Sequence, residues 1–186
     1  MIDKAIAFAV KAHEGQLRKG TEIPYIFHPL EVGMIVSRIT DDEEVIAAGV
    51  LHDTVEDCEQ VTLDVIRQEF GDRVARIVGL ESEDKSRSWV ERKSATIRLL
   101  EQETMREAKI VALADKLSNI RCFYADYCKL GETFWQRFNM KDKRMQGWYY
   151  KGLCDSLSDL SDLEEYQEFC RMVQMVFGDV ITDSPE

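Results

Sequence analysis

"EEVIAAGVL", residues 43–51, runs straight into "HDTVED", residues 52–57. From Val45 to Leu51 no side chain is polar, so a helix through this segment has no face suited to water and must be covered on most sides. The chain then delivers His52 and Asp53 together, followed three residues later by Glu56 and Asp57. Drawn as one continuous helix, His52 and Glu56 share a face one turn apart, and Asp53 and Asp57 share the neighbouring face. A carboxylate such as Asp53 at the end of a buried helix costs roughly several kcal/mol unless a cation or a metal meets it.

The surrounding sequence supplies helices to do the covering. Ile2, Ile6, Ala9 and Val10 fall on one side of a first helix, and a turn-rich stretch, "HEGQLRKGTEIPY", follows it. Pro29 suits the first turn of a helix "PLEVGMIVSRI", where its missing N–H is harmless. Thr40 and Glu43 read as a capping box for the apolar helix. Thr62 caps the next, with Val61 and Ile66 spaced for a hydrophobic staple, and Gly71 ends it. "DRVARIVGL" gives a further short helix. A polar stretch, "ESEDKSRSWVERK", then separates it from "SATIRLLEQ". In "ETMREAKIVALADKLSNIRCFYADYCKL" the residues Ile110, Leu113, Ala114, Leu117, Ile120 and Tyr124 form one stripe. Amphipathic helices follow at about Lys141–Leu157 and Leu160–Phe177. No alternating strand pattern, repeat or low-complexity segment interrupts the series. The expectation is an all-α protein: one compact helical domain over 1–178, with a frayed tail at 179–186.

Composition excludes several classes. The 186 residues are 45% hydrophobic with 3 Pro and 10 Gly, which describes a folded chain rather than a disordered one. No apolar run approaches the ~18 residues of a membrane span. The N-terminus, with Asp3, does not read as a signal peptide. Five cysteines without a C-x-x-C pair fit free thiols in a reducing cytoplasm. A net charge of −11 argues against non-specific binding to nucleic acid or to an anionic membrane. An anionic substrate therefore needs a local cluster of positive charge. Oligomeric state is not legible.

Two more positions bear on the acids after the apolar run. His28, in "PYIFHPL", lies between an apolar stretch and a helix start. Asp115, in "ALADKLSNI", sits beside an apolar stripe. Two histidines and two aspartates form a mixed N/O set suited to Mn, Fe, Co or Zn. The same residues could equally be scattered ion pairs, because spacing across three separate segments does not prove that they converge.

The combination "AHEGQLRKGTEIPYIFHPLEV", "AAGVLHDTVED", "SEDKSRSWVERK" and "ALADKLSNIR" resembles the HD-domain phosphohydrolases. More narrowly, it resembles the hydrolase branch of the RelA/SpoT-type alarmone enzymes and their small stand-alone relatives. The likeness runs from about Ile2 to about Leu157, with the motifs in the family's order. It implies a compact all-α HD-domain bundle and a ligand set of His28, His52, Asp53 and Asp115, usually holding Mn²⁺. It also implies that Glu56 and Asp57 are the acid–base groups for a metal-activated water. Arg18 and Lys19 match the pair that holds the nucleotide base and its surroundings. Asn119 matches a sugar contact and Arg144 a phosphate contact. Trp148 stands near where the family often has a tyrosine, so the contact made there differs. His13 belongs to the motif without a ligand role. The implied activity is that of a stand-alone cytoplasmic hydrolase, with no synthetase domain, removing the 3′-pyrophosphate of guanosine 3′,5′-bis(diphosphate) or its pentaphosphate analogue. Two rivals stay open: an HD-domain phosphohydrolase of another nucleotide or phosphoester, and a non-catalytic nucleotide-binding helical module.

Overall fold

The computed structural model describes residues 1–81 and 85–181. Ser82, Glu83 and Asp84 of the expected polar stretch, and 182–186 of the expected tail, lie outside the described residues. Among the described residues the secondary structure is helical, with no strand and one isolated antiparallel bridge, Leu17 to Pro24. The all-α expectation holds.

The described residues divide into two compact units, one within Met1–Glu83 and Thr104–Asp115, the other within Asp84–Glu103 and Lys116–Glu186. In the first, α1 (Ile2–Ala12), α2 (Phe27–Ile39), α3 (Glu43–Leu51), α4 (Thr54–Asp57), α5 (Leu63–Phe70) and α6 (Asp72–Glu81) are joined by the start of α8 (Arg106–Leu130). Helix α3 is the centre of this unit: every residue from Val45 to Leu51 is buried, as its all-apolar surface requires. It packs against α1, α2 and α6. The approach to α2 depends on two glycines. A Cβ at Gly33 would overlap Val50 Cγ2, and one at Gly49 would stand 3.0 Å from Val36 Cγ2.

Beyond shifts of a few residues at the starts of other helices, three boundaries differ from the sequence reading. The N-cap of α3 is Asp42, whose Oδ1 accepts from Glu44 N at 3.0 Å, whereas Thr40 closes α2 and its Oγ1 accepts from Asp42 N. Both residue types cap well, and with Thr40 spent on ending one helix Asp42 starts the next. Second, α7 (Trp89–Gln102) begins at Trp89, inside the stretch read as a linker. Ser88 and Glu91 form a reciprocal capping box there. Third, the apolar helix does not continue through the acids; α3 stops at Leu51 and α4 is a separate turn. Elsewhere Thr62 caps α5 through Val65 N and Gly71 ends it at φ +96°, both as expected.

The second unit holds α7, the rest of α8, a 3₁₀ segment (Gly131–Arg137), α9 (Lys143–Ser156) and α10 (Glu164–Phe177). Its interior is aromatic: Phe123, Phe134, Trp135, Tyr150 and Phe177 meet with centroids 4.9–6.2 Å apart, a spacing that suits edge-to-face and offset pairs. Arg121 grips Glu168 with Nε and Nη2 at 2.7 and 2.8 Å.

Candidate functional site

The break after α3 is made by side chains. His52 Nδ1 lies 2.8 Å from the Gly49 carbonyl, and the Thr54 hydroxyl donates to the Leu51 carbonyl at 2.7 Å. Side chains that take up the backbone acceptors of a last turn compete with continuation of the helix. The carbonyl can only accept, so His52 Nδ1 carries a proton and Nε2 is the nitrogen left for a ligand role. Nε2 is thereby the ring nitrogen aimed away from the helix, and the imidazole is 1% exposed.

Four donor atoms meet where Nε2 points. Asp53 Oδ2 lies 3.0 Å from His52 Nε2 and 3.4 Å from His28 Nε2. Asp115 Oδ1 lies 3.1 Å from His28 Nε2 and 3.6 Å from His52 Nε2. His28 comes from the first turn of α2, His52 and Asp53 from the end of α3, and Asp115 from the buried stretch of α8. All four belong to the first unit. Burial disfavours a charged His52, but Asp53 and Asp115 outweigh it and raise its pKa well above the usual value. The same opposition acts on His28, where burial is overcome by Asp115 and then Asp53 and the pKa rises. Burial likewise opposes charge on Asp53, yet His52 and His28 hold its carboxyl well below the ordinary carboxylate range. These are the electrostatics of a site that wants a positive charge at its middle.

A divalent ion fits this set on an observation independent of any relative. His52 Nε2 is buried and has no hydrogen-bond partner among the described residues, although two carboxylate oxygens stand within 3.6 Å. A backbone carbonyl on the far nitrogen of a ligating histidine, fixing its tautomer and ring orientation, is the outer support that metal sites use. Asp53 has such a support too, since the Tyr25 hydroxyl donates to Oδ2 at 2.5 Å. Tyr25 went unnoticed in the sequence. Its signal there was only a position three residues before His28. Among the described residues His28, His52 and Asp53 form a group whose ligand atoms all lie within 4.8 Å of one another.

The remaining candidates sit as follows. Glu56, half-buried, and Asp57, exposed, lie in the single turn α4. Arg18, half-buried, and Lys19, exposed, occupy the loop between α1 and α2. That loop is closed by Arg18 N to Ile23 O at 2.8 Å and Tyr25 N to Gln16 O at 2.9 Å, with Gly15 and Gly20 at φ +78° and +74°. Asn119 and Arg144 belong to the second unit: Asn119 is half-buried in α8, and Arg144 is exposed in the first turn of α9. Trp148 is half-buried on α9 and faces Trp89 with ring centroids 6.4 Å apart.

The model of the HD domain matches residues 5–131, a span containing every residue of the four-donor cluster. The chain belongs to the HD-domain family. A protein of Danio rerio named guanosine-3′,5′-bis(diphosphate) 3′-pyrophosphohydrolase MESH1 is 40% identical over 121 residues, 63% of this chain and 66% of that protein. A chloroplast protein of Oryza sativa subsp. japonica, named for GTP diphosphokinase activity, is 39% identical over 132 residues. That match takes in 64% of this HD-domain chain but spans only 15% of the rice protein. Among solved structures, one titled as a metazoan ortholog of SpoT that hydrolyzes ppGpp superposes with a TM-score of 0.74. It is 25% identical and covers 97% of this chain and 96% of its own. Among the described residues of this HD-domain protein, no helix is long and apolar enough to cross a membrane.

Proposed function

We propose that the protein is a divalent-metal-dependent phosphohydrolase. Its substrate is guanosine 3′,5′-bis(diphosphate) or the pentaphosphate analogue, from which it removes the 3′-pyrophosphate. The observation that carries the reading is the meeting of His28, His52, Asp53 and Asp115 within 3.0–3.6 Å, with the acid pair Glu56 and Asp57 on the very next turn. The activities named for the zebrafish relative and the SpoT-like structure support the choice of substrate. The reading takes residues 1–178 as the phosphohydrolase domain, 179–186 as its tail, and the cytoplasm as its location.

A divalent ion held by those four residues, Mn²⁺ foremost, would supply Lewis acidity and lower the pKa of a water towards neutrality. The chain does the rest. Tyr25 and the Gly49 carbonyl hold Asp53 and His52 in their ligand orientations before anything binds, so little reorganisation accompanies reaction. Glu56 and Asp57 serve jointly, one taking the proton of the attacking water and the other orienting it. Arg18 and Lys19 hold the base and its surroundings, Asn119 the sugar and Arg144 a phosphate. The local positive charge of Arg18, Lys19 and Arg144 offsets a net charge of −11 that repels a polyanion at long range.

Incubation with the guanosine tetraphosphate and Mn²⁺, followed by identification of products, tests this reading. Release of intact pyrophosphate with the 5′-diphosphate retained is the expected result. Equal turnover of ordinary nucleoside 5′-phosphates would point to a broader phosphohydrolase. Nucleotide binding without turnover would point to a sensing module.

A further inference from the structure

We infer that Gln16 is a positioning residue for the acid turn Thr54–Asp57, holding Glu56 and Asp57 in place from the end of α1. The inference builds on the role proposed above for that acid pair.

Helix α4 is only four residues long, and no side chain caps its N-terminus. One turn of helix is costly to form alone, and its terminal carbonyls have no partner within the helix. Gln16 Nε2 supplies one: it donates to the Asp57 carbonyl at 2.9 Å and lies 3.8 Å from Cys58 Sγ, the residue that ends the turn. With the amide nitrogen committed to those acceptors, Oε1 faces the other way and stands 2.8 Å from His13 Nδ1. An amide oxygen cannot donate, so His13 Nδ1 carries the proton and the amide orientation is fixed. His13 is 2% exposed and caps α1 through its own N–H to Ala9 O. The turn is therefore tied to a buried anchor more than forty residues earlier in the chain.

The backbone of Gln16 extends the tie. Its N–H donates to His13 O at 3.0 Å, and its carbonyl accepts from Tyr25 N at 2.9 Å. Tyr25 in turn holds Asp53. Gln16 thus joins the end of α1, the segment that orients a candidate ligand, and the turn carrying the candidate acids. Gly15 at φ +78° makes the bend that sets it there.

Two variants test this. Gln16→Leu removes both hydrogen-bonding ends at similar size. Gln16→Glu keeps an acceptor towards His13 and replaces the N–H donors with a charged carboxylate oxygen that cannot donate to the Asp57 carbonyl, which guards against a folding failure in the first. In either variant kcat for the tetraphosphate should fall roughly 10- to 100-fold, the scale of a misplacement of about 1 Å. KM and Mn²⁺ affinity should stay within about twofold, since neither ligands nor base contacts are touched. A purely structural role would not give that split. Independently of activity, the amides of Asp57 and Cys58, which bond to Asp53 O and Thr54 O at 2.9 and 3.1 Å, should exchange with solvent about tenfold faster. Unchanged exchange at those amides would overturn the inference, and so would an unchanged kcat or a parallel loss of Mn²⁺ affinity. If the unmodified protein released no pyrophosphate, the proposed function would fall instead, and the exchange rates alone would judge the tie.

Discussion

The Tyr25 hydroxyl donates to Asp53 Oδ2 at 2.5 Å, the same oxygen that stands 3.0 Å from His52 Nε2 and 3.4 Å from His28 Nε2. Burial raises the Tyr25 pKa, as do the nearby Asp53, Asp57 and Asp115 carboxylates, so the phenol stays protonated and remains a donor. One bond from the turn before α2 therefore helps to set the direction of the Asp53 carboxylate.

Tyr25→Phe removes that bond and little else. Loss of such an outer support typically weakens a metal site about 10- to 100-fold. Calorimetric titration of the variant with Mn²⁺ should show that loss with folding intact. An affinity equal to wild type would mean that Asp53 is oriented by other groups.

Asp57→Asn keeps the size of the side chain and removes its charge. Metal binding should persist, because Asp57 lies outside the four-donor cluster. Turnover should drop by roughly 10²–10⁴-fold, the range for a general acid–base group. Single-turnover rates beside metal content separate the two effects, and unchanged rates would demote the acid pair to surface charges.

Gly33→Ala tests what brings the histidines together. The added methyl would overlap Val50 Cγ2, a stiff β-branched group on α3. Overpacking of this kind costs about 1–3 kcal/mol, visible as a lower midpoint in urea denaturation. Because α2 carries His28 and α3 leads into His52, Mn²⁺ affinity should weaken as well. A variant as stable as wild type would show that the two helices can separate freely.

Asp42 caps α3 and bonds Arg73, which also reaches Glu44 and Glu107 at 2.9 Å each. The Arg73 guanidinium, aided by the cap hydrogen bond, holds the Asp42 carboxyl below its ordinary 3.8. A depressed pKa contributes stability above the unfolded value and loses it as pH falls through the folded one. Asp42→Ala should therefore destabilise by about 0.5–2 kcal/mol at neutral pH, mostly as a lost cap. The gap to wild type should narrow only below about pH 4. Denaturation at pH 7 and pH 3 checks this; a gap that widened in acid would contradict it.

The helical class and the buried core helix were legible in the chain, because burial of a whole helix leaves a run such as Val45–Leu51 with no polar residue; the candidate ligand set came from the family resemblance. The HD dipeptide marked the end of that run for the same reason: acids beside such a segment need a cation. The capping box at Ser88 and Glu91 was also written there, though the charged residues around it disguised it as a linker. What tertiary structure alone decided was convergence and support. Spacing could not say whether His28, His52, Asp53 and Asp115 met, since three segments must first be packed by the glycine contact of α2 on α3 and by the buried stretch of α8. The helix break at His52 could not be foreseen, because it depends on which side chains win the Gly49 and Leu51 carbonyls. Nor could Tyr25 and Gln16, whose roles rest on hydrogen bonds to residues 28 and 41 positions away. Local pattern reports how each residue meets water; only the folded chain reports which distant residue it meets.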